Sequence, residues 1–196
     1  ALLYVVNAGL RNATGLVLNL LLTNALGATL YGVFTYGRQI LTSLLLFANV
    51  GTDVATTRYV AGNQDDQRRQ NGVLGFGFGV TLATSLLFSA ALFVAAPTIN
   101  AYSLEEPVLT TVIRLFALAV PFQALMRLVT SSLRGLETPL DHAVVSGTGH
   151  VLRLLLVGGA VVLGYTLVGA TLAYVVSTAL VLVVGAVALL TLTSIQ

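Results

Sequence analysis

The sequence has no cysteine and no lysine, and few charges of any kind. Without cysteine it forms no disulfide and offers no thiol chemistry, so the redox state of its compartment cannot be read from it. Without lysine, nine arginines are the only permanent cations. That bias is explained either by genome composition or by a use for arginine's planar fork, which contacts phosphate and carboxylate in bidentate fashion. Only 8% of the 196 residues are charged and 57% are hydrophobic, against roughly 25% charged in a soluble domain. A soluble fold is excluded, and a net charge of +2 is too small to indicate nucleic acid as a partner.

What is present is a succession of long apolar runs. Six spans are expected, at about 2–26, 30–60, 72–96, 107–133, 143–163 and 166–193, each long enough at about 1.5 Å per residue to cross a hydrocarbon core of about 30 Å. The fold class is therefore all-α integral membrane, a single six-helix bundle in the lipid bilayer. Tight turns are expected at Gly27-Ala28 and Gly164-Tyr165, and polar loops at Gly62–Asn71, Pro97–Pro107 and Ser132–His142. Gly75 and Gly79, four residues apart in span three, have the spacing that lets helices pack closely. Pro121 is expected to kink span four, either as a hinge or to accommodate its neighbours. The chain enters an apolar run at once and stops just after the sixth, so it reads as a piece of a longer protein. Arg58, Arg68, Arg69, Arg127 and Arg134 lie in or beside the even-numbered loops, and the odd-numbered loops carry no arginine. By the positive-inside rule the even loops and the N-terminus are cytoplasmic, in the cytoplasmic membrane.

Span two carries Thr35, Arg38, Gln39, Thr42, Asn49, Asp53 and Thr56 along one line of the helix, and span one carries Asn12, Gly15, Asn19 and Thr23 on one face with Arg11 at its edge. Ser146, His150 and Arg153 follow helical spacing in span five, and Arg114, Gln123 and Arg127 occur in span four. An arginine at the centre of a span costs about 2.5–3.5 kcal/mol, so such residues face protein or water. Yet Asp53, Glu105, Glu106, Glu137 and Asp141 all fall at interfaces or in loops. The missing counterions come from a ligand, from lipid headgroups, or from other protein. Arg11, about 9 Å from the boundary, either snorkels or joins a cavity. Arg127 reads as an interface anchor, and His150 as a packing residue rather than a proton carrier. Asp53 and Arg58 pair with neighbouring loops. Arg38, Arg114 and Arg153 are too deep to snorkel and are expected to face a cavity.

Leu26-Gly27-Ala28-Thr29-Leu30-Tyr31-Gly32 resembles the Leu-Gly-Pro-x-x-Tyr-Gly turn of the polysaccharide and lipid-linked oligosaccharide flippases, in the multidrug/oligosaccharidyl-lipid/polysaccharide exporter superfamily. Asn49 to Asp53 with Arg58 to Ala61, Leu133 to Glu137, and Gly164 to Ala170 are similar to further stretches of that family, in its order and spacing. Ala28 departs from the family's proline. The resemblance implies an N-terminal lobe facing a second six-helix bundle of the same protein across a cavity open alternately to each side. It implies a polyprenyl-(pyro)phosphate-linked glycan as substrate, with Arg11 and Arg38 at positions that line a cationic cavity. The expected substrate-binding residues are Arg11, Arg38, Arg114, Arg153, Asn19 and Gln39, with no catalytic residues, metal or cofactor. The rival readings are a cation-coupled multidrug exporter, which needs a membrane carboxylate that span one lacks, and a membrane-embedded lipid-phosphate enzyme. The enzyme needs a base, nucleophile or metal site, and two separated histidines supply none.

Overall fold

The computed structural model describes residues 2–48, 67–103, 106–135 and 139–195. Asp53 and Arg58 lie outside the described residues. Lipid offers no hydrogen bonds to a backbone, so apolar sequence in a bilayer satisfies its amides within helices, and the described chain is helical almost throughout. Helix α1 runs Leu2–Ala48, α2 Gln67–Ala101, α3 Leu109–Gly135, α4 Pro139–Arg153 and α5 Leu167–Ile195. Helix α4 continues through a π-helical stretch, Leu154–Gly158, and a last α-helical turn, Gly159–Val162.

Among the described residues, five helices are long and apolar enough to cross a membrane, the first over the 42 residues Asn7–Ala48. The expected spans one and two are joined in it. Gly27 interrupts the helix with φ 75° and ψ 169°, a backbone conformation open essentially to glycine alone. The two sides of Gly27 have different neighbours. Leu10 Cδ2 lies 3.5 Å from where a Cβ on Gly147 would stand, and Leu21 Cδ1 3.4 Å from the same point on Gly158. Beyond Gly27, the equivalent point on Gly37 is 2.8 Å from Phe116 and 2.9 Å from Val112.

The turn at Gly164-Tyr165 forms as expected. Gly164 has φ 80°, its N–H donates to Val161 O at 3.0 Å, and Tyr165 N–H donates to Ala160 O at 3.0 Å. This reciprocal pair stops a helix at a left-handed glycine. Three loop expectations are corrected. Of the Ser132–His142 stretch, residues up to Gly135 and from Pro139 onward are helical. Helix α2 begins at Gln67, inside the polar Gly62–Asn71 stretch, because Gln and Arg are good helix formers. It also continues through Pro97 to Ala101, since a proline removes only one bond of the ladder. Gly75 and Gly79 make no close helix contact, because nothing lies within 4 Å of a Cβ built on either.

Helix α3 is the centre of the bundle and packs against α1, α2, α4 and α5. Val112, Ile113, Phe116, Val120 and Ala124 along it are fully buried. Pro121 has no N–H to give the carbonyl four residues back, Ala117 O. Ser89 Oγ of α2 donates to that oxygen at 2.7 Å, so a hydroxyl from the neighbouring helix replaces the missing amide. Thr84 Oγ1 similarly donates to Ala48 O at the end of α1, at 2.7 Å. The buried hydroxyls of Thr171, Ser177, Thr178 and Ser132 donate to carbonyls of their own helices. Phe34, Phe116 and Tyr174 meet edge to face, with centroids 5.4–6.2 Å apart, and tie α1, α3 and α5 together at one level. The outer surface is apolar, with Leu16, Phe47, Leu87, Leu155 and Val183 exposed, the inverse of a soluble fold.

Candidate functional site

Helix α1 buries Leu18 and Leu22 before Gly27, and Val33, Phe34, Leu41 and Leu45 after it. Its polar stripes are left uncovered. Arg11, Asn12, Thr23, Arg38, Gln39 and Thr42 are exposed, and Asn19 and Thr35 half-buried. The threonines settle their hydroxyl protons locally, Thr23 on Asn19 O, Thr35 on Tyr31 O and Thr42 on Arg38 O, at 2.8–2.9 Å. A guanidinium or a side-chain amide has no equivalent route to the carbonyl one turn back, so Arg11, Arg38, Asn12 and Gln39 are the groups that need something outside the helix. Gln39 also lines a cavity of about 600 Å³ with Thr35, Tyr36 and Glu106.

Arg114 stands at the level of Arg38 but not beside it. Val112 and Phe116 face Gly37, and Arg114, two residues from each, projects from the opposite side of α3. There its guanidinium lies 5.1 Å over the Phe93 ring of α2, and it remains exposed. The structure does not bring Arg38 and Arg114 together.

Arg153 sits differently. At the end of α4 its guanidinium stacks on the ring of Tyr174, 4.6 Å from the centroid. Tyr174 is itself held from α3, where Gln123 Nε2 donates to its hydroxyl oxygen at 2.8 Å. Arg153 Nε is buried without a hydrogen-bond partner. The residue lines a cavity of about 140 Å³ with Gln123, Met126, Arg127, Thr130, Thr178 and Val181. His150, one turn earlier on α4, lies within electrostatic reach of both Arg153 and Arg11. Arg11, Arg127 and Arg153 thus form one positive neighbourhood around His150, drawn from α1, α3 and α4.

Of this group, the sequence pattern singled out Arg11 and Arg153. Arg127 read as an interface anchor, although Gln123 and Arg127, four residues apart, occupy one face of α3. Tyr174 and Thr178 carried no signal, because α5 has no charged residue to mark a polar side.

A family described as polysaccharide biosynthesis protein matches residues 1–192. No curated protein and no solved structure is significantly similar to the chain.

Proposed function

The chain belongs to the polysaccharide biosynthesis protein family, and from that premise we propose that it is a six-crossing lobe of a transporter that flips an anionic lipid-linked saccharide across the cytoplasmic membrane by alternating access. The observation that carries this reading is the uncovered polar face of α1. Two arginines facing hydrocarbon there would cost about 5–7 kcal/mol together, a large fraction of a total stability of about 5–15 kcal/mol. A second six-helix bundle of the same protein covers that face and encloses water with it. The hydrated space between the bundles then has two arginines on the wall given by α1 against one carboxylate, Glu106, beside Gln39, so its balance favours an anion.

The register of α1 supports six crossings. Leu21 adjoins Gly158, five residues beyond Arg153, and Arg153 stands on Tyr174, which packs on Phe34. A straight helix would carry Phe34 about 20 Å past Leu21. Its partners put it about 7 Å back toward the other end, as a chain reversal at Gly27 requires. The 42 residues of Asn7–Ala48 then supply two crossings of a core of about 30 Å. Arginines at 68, 69 and 134 put the even loops, and with them the N-terminus, on the cytoplasmic side.

In the mechanism, the phosphate of a polyprenyl-(pyro)phosphate-linked glycan meets Arg11 and Arg38. Asn19 and Gln39 hydrogen-bond the sugar in the hydrated cavity, the lipid tail stays in the bilayer, and the two bundles rock to change the open side. Arg11→Ala and Arg38→Ala in the intact transporter are expected to abolish surface glycan while the protein remains in the membrane. Normal surface glycan in the double variant overturns the proposal. Drug efflux that follows a sodium or proton gradient favours the cation-coupled exporter instead.

A further inference from the structure

We propose that the cavity between α3, α4 and α5 is a phosphate site, with Arg127 and Arg153 as its ligands. The chemistry of the lining carries the assignment. Thr130 and Thr178 have spent their hydroxyl protons on Met126 O and Tyr174 O, and Gln123 donates to Tyr174. The cavity is lined by two guanidiniums and the remaining amide N–H of Gln123, with no carboxylate among the described residues, so it favours an acceptor-rich anion. Arg153 Nε is already desolvated and has no hydrogen-bond partner, so this guanidinium is not fully satisfied within the protein.

The cavity, about 140 Å³, has ample room for a phosphoryl group. The charge is pre-positioned, because Tyr174, only 5% exposed and anchored by Gln123, fixes the plane of the Arg153 guanidinium. Arg11 adds positive potential from the side of α1. The π-helical stretch begins at the next residue, Leu154. Such insertions shift the phase of a helix and occur often at functional sites. Here the shift keeps Val157 and Val161 buried while Arg153 turns into the cavity.

The phosphate belongs either to the lipid-linked saccharide, which rests on the transporter reading, or to an ordinary anionic lipid headgroup, which does not. The test uses the purified intact transporter in nanodiscs, with binding of a short-chain polyprenyl diphosphate and, separately, of phosphatidylglycerol measured for wild type, Arg127→Gln, Arg153→Gln and Arg153→Lys. Arg127→Gln and Arg153→Gln are each expected to weaken binding by roughly 10- to 100-fold, and Arg153→Lys by nearly as much, since a point charge does not replace the fork. If Arg153→Gln fails to fold, Arg127→Gln and Arg153→Lys carry the measurement. Weakening toward the diphosphate assigns the site to the substrate, and weakening toward phosphatidylglycerol alone assigns it to a headgroup. Unchanged affinity for both ligands in folded variants overturns the site, and it does so whether or not Arg11→Ala and Arg38→Ala abolish export.

Discussion

Helix α1 and the α3–α4–α5 side of the bundle treat polar groups in opposite ways. Around α3, most polar atoms find partners within the bundle, Arg153 Nε being an exception. Ser89 supplies the carbonyl that Pro121 leaves open, Gln123 holds Tyr174, and Tyr174 carries Arg153. On α1 the threonines turn inward to their own backbone while Arg11, Arg38 and Gln39 extend outward. A membrane protein can leave such groups outward only where protein or water meets them. The difference therefore separates a face whose arginines and amide are left uncovered from a core that satisfies most of its own polar groups.

The sharpest way to break that contrast is to measure access to water, and the absence of native cysteine gives a clean background for it. Gln39→Cys in the membrane-embedded protein is expected to react with a charged thiol reagent at least about 100-fold faster than Leu41→Cys. Those positions are two residues apart on one helix, and Leu41 is fully buried. A lipid- or protein-covered Gln39 would equalise the two rates and remove the hydrated face. Slow labelling at Leu41 does not reflect depth in the bilayer, since the two positions differ by only about 3 Å along the axis.

That face was legible in the sequence because a polar stripe with helical period is a local pattern, and Thr35, Arg38, Gln39 and Thr42 fall on it without knowledge of any neighbour. The turn at Gly164 was legible for the same reason. The Arg153 cavity was not. Its walls come from residues 51 positions apart, as in the Gln123–Tyr174 bond, and α5 presents no periodic polarity to mark its side. Depth alone grouped Arg114 with Arg38 and Arg153. The structure separates Arg114 because the phase of α3, set by Val112 and Phe116 against Gly37, sends it to Phe93. Arg114→Ala is accordingly expected to leave surface glycan within about twofold of wild type, whereas Arg38→Ala abolishes it, and equal losses would return the two residues to one cavity.

On the core side, the Ser89–Ala117 bond is the place to look for a stability effect. Ser89→Ala leaves a buried carbonyl unsatisfied, because Pro121 cannot serve it, and is expected to destabilise the protein by about 1–3 kcal/mol. Pro121→Ala restores the amide four residues on. In the Pro121→Ala background the cost of Ser89→Ala should fall below about 1 kcal/mol, measured as chemical unfolding in detergent. A cost independent of Pro121 means that Ser89 acts through packing alone.

The smallest effects come from making one change in both regions. Gln123→Leu removes the donor that holds Tyr174 and should cost about 1 kcal/mol of stability, since the tyrosine oxygen, in a side chain only 5% exposed, loses its partner. Gln39→Leu removes an exposed amide whose function lies outside the lobe, so stability should stay within about 0.5 kcal/mol of wild type while glycan export falls. The pair is informative because the excised chemistry is identical and only its surroundings differ. If Gln39→Leu instead lowers stability as much as Gln123→Leu and export follows stability, then the outward amide serves the fold of this lobe. The face of α1 would then lose its claim to be a wall of the transport cavity.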